Sequence, residues 1–285
     1  MPSSKYTANF SGFIMKFLNL VFVNLLIFCN GAFANGEPKD WQLGFQEAFS
    51  PTARAAQETH DFIMLFVWGI VAFVLVLLVV TCVKFRAKNN PTPSTTSHNT
   101  LIEIIWIVIP TIILIIIAIP SLKLIYFQET VPESEMTLKV IGRQWYWSYE
   151  YPDQGDIAFD SYMKKDEELK AGEPRLLATD NKVYLPTETY IKIQVTSSDV
   201  IHAFALPALG VKIDAIPGRL NETWVYIEEP GTYYGQCSEL CGILHAFMPI
   251  EVIAVPKHEF KYWVERAKEE YSYALPNNMK LANKL

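Results

Sequence analysis

Residues 231–255 read GTYYGQCSELCGILHAFMPIEVIAV, two runs of aromatic and β-branched residues enclosing a loop with two cysteines, a histidine and a methionine. GTYYGQ and PIEVIAV have the composition of strands, which puts Cys237, Cys241, His245 and Met248 on one loop at the rim of a β structure. Three chemistries compete for such a loop. A CxxxC pair in an oxidising compartment can form a disulfide, but a disulfide needs neither His245 nor Met248. Zinc accepts two thiolates and an imidazole, yet its structural sites favour tighter CxxC knuckles and a fourth thiolate or nitrogen over a thioether. Imidazole, thiolate and a soft thioether together are the combination of copper sites, where two His, one Cys and a long axial Met hold a single ion. This loop has one thiolate more than that. A second sulfur close to the first can bridge two copper ions, each of which then needs its own terminal histidine.

The second histidine has to come from outside the loop, and the chain has five in all. His60 precedes an apolar segment, His98 lies in a polar linker and His258 opens the last helix. His202, in the run QVTSSDVIHAF, is left; on its own it reads as an ordinary strand histidine, and beside the loop it is the candidate second ligand. Of the four cysteines, Cys29 and Cys82 fall in apolar segments, where a free thiol behaves as a small apolar residue.

Outward from the loop, residues 128–285 alternate short strand-like runs (TLKVIGRQWYWSYEY, DIAFDSYM, KVYLP, YIKIQVTS, ETWVYIE) with Pro, Gly, Asp and Asn, the pattern of a sandwich or barrel. The tail HEFKYWVERAKEEY places Phe260, Trp263, Val264 and Ala267 at helical spacing and predicts a closing amphipathic helix. This part carries 24 Asp and Glu against 16 Lys and Arg, so it accounts for more than the whole net charge of −6. An acidic surface of this kind argues against nucleic acid as a ligand and suits a basic protein partner.

Upstream, the apolar residues gather in three blocks. The first follows Lys5 and Lys16 and ends in small residues at Ala32 and Ala34, which predicts a secretory signal over 1–34 and a short segment 35–61 after it. The second, 62–83, is FIMLFVWGIVAFVLVLLVVTCV, 22 residues without a charge and enough for about 33 Å of helix. The third, 104–127, tolerates Pro110 and Pro120 as a membrane helix does. Between them the linker 84–103 has Lys84, Arg86 and Lys88 against the membrane edge, which places it on the cytoplasmic side and both the N-terminus and 128–285 on the other.

GRQWYWSYEY at 142–151, DVIHAF at 199–204, KIDAIPGR at 212–219 and GQCSELCGILHAFMP at 235–249 closely resemble subunit II of the haem-copper cytochrome c oxidases, in the bacterial form with a signal peptide. The resemblance implies a transmembrane hairpin followed by a cupredoxin-like Greek-key β domain with a C-terminal helix, anchored in the bacterial inner membrane with its β domain in the periplasm. It implies a binuclear CuA centre: Cys237 and Cys241 as bridging thiolates, His202 and His245 as terminal imidazoles, Met248 as a weak ligand of one copper and the backbone carbonyl of Glu239 of the other. The Glu239 side chain matches the ligand of a magnesium ion at the interface with subunit I. Trp145 matches the residue that receives the electron from cytochrome c; Glu150, Asp160 and Asp199 match acidic positions that attract that cytochrome. Glu103 matches a glutamate at the mouth of a proton path, and Asp214 and Arg219 positions near the subunit I interface. The implied partners are subunit I, subunit III, cytochrome c and membrane lipid, and the implied activity is electron entry for the reduction of oxygen to water coupled to proton pumping.

Quinol-oxidising relatives lack the copper ligands, and nitrous oxide reductase shares the loop but needs a second large domain rather than a hairpin. A membrane-tethered copper carrier needs neither the tryptophan-rich stretch nor Glu239. No CxxCH occurs in these residues, so a fused cytochrome c domain is not expected.

Overall fold

The computed structural model describes residues 34–271 apart from 93 and 156. The expected signal segment, with Cys29, lies outside the described residues except for Ala34.

Two long helices come first. Helix α1 (Pro51–Lys84) starts on Ser50, whose hydroxyl accepts the Ala53 N–H at 3.0 Å, with Pro51 in the first turn, where its missing N–H is not needed. Helix α2 (Thr100–Glu129) starts on Asn99, which accepts the Ile102 N–H at 3.2 Å, and continues through Pro110 and Pro120. A helix this apolar inside a soluble protein would be covered by its own chain. Here α1 buries only Thr52 and Ala53 and α2 buries nothing, while the two pack on each other, so their apolar faces are left for lipid or for other chains.

The rest is a two-sheet β domain. One sheet runs β1 (Ala34–Gly36), β10 (Gly231–Gln236), β11 (Pro249–Val255), β5 (Val183–Pro186); the other runs β4 (Ile157–Ser161), β3 (Tyr146–Tyr151), β2 (Met136–Arg143), β6 (Tyr190–Ser197), β9 (Asn221–Tyr226). A hairpin of β7 (His202–Leu206) and β8 (Val211–Ala215) completes it, and β7 touches β2 of one sheet and β10 and β11 of the other. All five residues of β7 are buried, as expected of a strand wedged between layers. Period-two alternation sends Leu138, Val140, Trp147, Tyr149, Tyr151, Ile191, Ile193 and Val195 into the shared core. Helix α3 (Lys257–Tyr271) closes the domain through Phe260, Val264 and Ala267, with Trp263 stacked on Tyr184 at 5.0 Å between ring centroids.

Two details depart from the sequence reading. The run 137–151, expected as one strand, is a β2–β3 hairpin turning at Gln144 and Trp145. The run ending at His202 is also two strands. After Ser197, its own hydroxyl accepts the Asp199 N–H (3.2 Å) and the Asp199 carboxylate accepts the Val200 N–H (2.6 Å), and these short side-chain bonds replace the ladder and let the chain restart as β7.

The hairpin and the β domain are fastened together at the start of α1. Phe49 enters the core edge-on to Tyr233, its N–H donates to Ala208 O and its carbonyl accepts the Glu228 N–H, both at 3.0 Å. The Ser50 and Thr52 hydroxyls both donate to Leu209 O, at 2.7 and 3.0 Å, and Arg54 ion-pairs with Glu228.

Candidate metal centre

The β10–β11 register pairs Gln236 with Pro249, so residues 237–248 form the closed end of a hairpin. Its shape is set by backbone bonds: Cys237 N–H to Met248 O at 3.2 Å across the base, His245 N–H to Gly242 O at 3.2 Å in the bend, and Ser238 N–H to Ala203 O at 3.0 Å. The last bond ties the loop to β7, and β7 begins with His202.

The donors converge accordingly. His202 Nδ1, Cys237 Sγ and Cys241 Sγ lie within 4.8 Å of one another, all three residues buried. Cys237 Sγ is 3.8 Å from His202 Nδ1 and 3.8 Å from Cys241 Sγ; Cys241 Sγ is 3.6 Å from His245 Nδ1 and 3.6 Å from Met248 Sδ; the carbonyl oxygen of Glu239 is 3.4 Å from Cys237 Sγ. Each sulfur thus has its own imidazole, and the two sulfurs are neighbours.

Both cysteines are free thiols, and a gap of 3.8 Å is far beyond the roughly 2.05 Å of a disulfide bond. With metal–sulfur bonds of about 2.3 Å, one ion can reach both sulfurs across that gap. Electrostatics point the same way. Burial by itself would raise the Cys237 thiol, but hydrogen bonds with His202, with the backbone at Glu239 and Ala203 and with His245 together outweigh it and hold the thiol below its ordinary value; Cys241 is pushed up by burial and then by the charge on Cys237. Two buried thiols this close cannot both ionise unless a cation compensates them. The donor set of two thiolates, two imidazoles and a thioether is soft, and it fits copper better than any hard cation.

Neighbouring residues hold this loop in place. Trp145 Nε1 and Gln144 Nε2 both donate to Cys241 O, at 3.2 and 2.9 Å. Gly242, at φ +122°, lets the chain turn away directly after Cys241, and a Cβ there would stand 3.0 Å from the Trp145 indole. Gly142 has a different duty: a Cβ on it would stand 2.8 Å from His202 Cδ2, so the glycine leaves room for the imidazole.

Matches to known proteins cover both halves of the molecule. Residues 136–255 match the model of the cytochrome c oxidase subunit II periplasmic domain and residues 38–124 that of its transmembrane domain. A probable cytochrome c oxidase subunit 2 of Rickettsia bellii is 50% identical over 263 residues, covering 92% of this chain and 97% of that one. The chain belongs to the cytochrome c oxidase subunit II family. It is therefore a subunit of a haem-copper terminal oxidase, with a CuA-type β domain on a transmembrane hairpin. The mitochondrial subunit 2 of Vigna unguiculata is 47% identical over 233 residues, 80% of this chain and 62% of that one. The crystal structure of the periplasmic domain of subunit II of cytochrome oxidase from Bradyrhizobium japonicum is 56% identical and covers 50% of this chain and 99% of that one, with a TM-score of 0.47.

The other residues singled out in the subunit II sequence are distributed as follows. Glu239 is exposed on the loop, and Trp145 is half-buried beside it. Glu150 and Asp160 stand on the outer face of the β2–β3–β4 sheet, Glu150 paired with Lys139 at 2.8 Å and Asp160 accepting the Ser148 hydroxyl at 2.5 Å. Asp199, at the surface, bonds His202 Nε2 through Oδ1 at 2.8 Å. Glu103 sits in the first turn of α2, where the helix dipole favours a carboxylate. Asp214 and Arg219 are exposed on and after β8. Gln144 was missed by the sequence reading, although its place inside GRQWYW, next to Trp145, was a usable signal.

Proposed function

We propose that this subunit is the point of electron entry from cytochrome c into the oxidase and that it holds a CuA pair through Cys237, Cys241, His202, His245, Met248 and the Glu239 carbonyl. The observation that carries this reading is a pair of buried free thiols side by side, Cys237 against the buried imidazole of His202 and Cys241 against the partly exposed imidazole of His245. When bound, the copper pair supplies reversible one-electron storage. The chain's own residues bury the donors, fix the loop and bring a surface aromatic to it. Trp145 does the last: it is half-buried, and its N–H rests on the carbonyl of Cys241.

In the same reading Glu150, Asp160 and Asp199 belong to the acidic surface that draws in a basic cytochrome, and the exposed Glu239 carboxylate offers oxygen ligands to magnesium at the contact with subunit I. Electrons pass on to haem in subunit I, where oxygen is reduced with proton pumping, and subunit III completes the core of the complex. Glu103 stands at the membrane edge as a proton-path entrance. The chain sits in a bacterial inner membrane with the β domain in the periplasm, after removal of the signal segment 1–34; segments 62–83 and 104–127 cross the bilayer, 84–103 joins them in the cytoplasm, and 35–61 and 128–285 lie outside.

The test is to reconstitute the full chain in detergent with copper and record its electron paramagnetic resonance. A seven-line mixed-valence pattern with two coppers per chain is expected; a mononuclear signal, or a Cys237–Cys241 disulfide that takes up no copper, overturns the reading. Trp145→Phe should then leave the spectrum intact and abolish rapid cytochrome oxidation.

A further inference from the structure

Asp199 was read from the sequence as one of several outward charges, but the fold gives it inward contacts. Its Oδ1 is 2.8 Å from His202 Nε2 and also accepts the Val200 N–H at 2.6 Å, with the Ser197 hydroxyl at 3.3 Å. Its Oδ2 accepts the Gln144 N–H at 2.7 Å. Both carboxylate oxygens are engaged, and the side chain is 30% exposed.

We propose that Asp199 is a positioning residue: it fixes the tautomer and orientation of the metal ligand His202 and, through Gln144, ties that ligand to the turn that carries Trp145. A neutral imidazole has one N–H. Donating it from Nε2 to a carboxylate leaves the Nδ1 lone pair free, and Nδ1 is the atom that faces Cys237 Sγ at 3.8 Å. The ring has little other freedom, since it is wholly buried, it meets Trp147 edge-to-face at 5.9 Å between centroids and it packs so close to Gly142 that a Cβ there would collide with it. A carboxylate on the remote nitrogen also makes the imidazole a stronger donor, so the charge of Asp199 acts on the potential of whatever metal His202 holds.

The second oxygen extends this control. Gln144 donates its backbone N–H to Asp199 and its side-chain amide to Cys241 O, the carbonyl that also receives the Trp145 indole N–H. One carboxylate therefore sets the distance between the β7 ligand, the β10–β11 loop and the surface tryptophan. Asparagine cannot replace it. An amide has a single acceptor oxygen for two donors that approach from opposite sides, and it turns an N–H₂ towards one of them.

This inference rests on the copper reading above, so the experiment uses the assembled oxidase with the wild-type chain, Asp199→Asn and, as an outward-charge control, Asp160→Asn. Copper content, the visible and paramagnetic spectra, the midpoint potential, copper retention against a chelator, and kcat and KM for cytochrome c are measured on each. Asp199→Asn is expected to lose copper roughly 10–100-fold more readily and to shift both spectrum and potential, whereas Asp160→Asn moves only KM and its salt dependence. An Asp199→Asn enzyme with wild-type spectrum, potential and copper retention and a raised KM overturns the proposal. A wild-type chain without copper instead defeats the copper reading itself. Should Asp199→Asn not assemble, the wild-type complex decides: the hyperfine-shifted His202 Nε2–H proton should exchange slowly with solvent, and exchange as fast as that of an exposed imidazole refutes the assignment.

Discussion

At Glu173 several donors converge on one carboxylate. Lys164 Nζ bonds both oxygens at 2.7 and 2.8 Å, the Lys170 N–H reaches one at 3.0 Å and Lys182 lies 3.4 Å away, itself bridging to the buried Glu251 at 2.6 Å. The Lys164 hydrogen bond, followed by that from Lys170, pulls the Glu173 carboxyl from its ordinary 4.5 down to about 2. The folded-state value is the lower of the two, so the folded state binds fewer protons in that interval and the carboxylate stabilises the fold fully above about pH 4.5. That contribution fades as pH falls towards 2. Glu173→Gln should accordingly lower the melting temperature at pH 7, and the gap from wild type should narrow between about pH 4.5 and 2, as followed by thermal melts across that range. The sequence showed Glu173 only as one charge in the polar stretch 164–181. Its partners come from both ends of that stretch and, through Lys182, from β11, so no local pattern revealed the network. The six proposed donors stood out for the opposite reason. Soft side chains are rare, and five of the six positions lie within one loop.

The segment ahead of α1 carries the main lesson about elements. From sequence it was only a short segment between the expected signal and the first membrane helix, yet it supplies an edge strand to β10, a core aromatic in Phe49 and the hydroxyl bonds to Leu209 that seat the first turn of α1. The β domain is therefore completed by chain from before the membrane hairpin. Phe49 is 7% exposed, and its removal leaves a cavity beside Tyr233 and Ala208. Phe49→Ala should cost about 3–5 kcal/mol of β-domain stability, read from denaturant unfolding of the detergent-solubilised chain by tryptophan fluorescence; a loss under about 1 kcal/mol would mean that the segment lies loosely on the domain. The strand runs were mostly readable because period-two burial repeats over several residues. The breaks at Gln144 and Ser197 were not, since each is stabilised by a carboxylate or hydroxyl whose role depends on a distant neighbour or on a single local bond.

At the scale of the whole molecule, charge and apolarity are separated, with the acidic β domain joined to two apolar segments, 62–83 and 104–127, that carry one charge between them, Lys123. Attraction of a basic cytochrome to such a domain is long-ranged and screened over about 8–10 Å at physiological salt. The second-order rate of cytochrome c oxidation by the assembled complex should fall ~10-fold or more as ionic strength rises from about 0.01 to 0.3 M. Stopped-flow rates that stay flat across that range would assign docking to apolar contact instead. The sequence alone determined the two membrane helices and the β class and singled out the proposed donor set, because uninterrupted apolar length, alternation and residue chemistry are local properties of a chain. Only the tertiary structure decided that residues before α1 finish the β domain and that Asp199, while still partly exposed, bonds the imidazole of His202. Both depend on which distant segments pack together, and hydrogen bonds between such segments leave no periodic trace in the sequence.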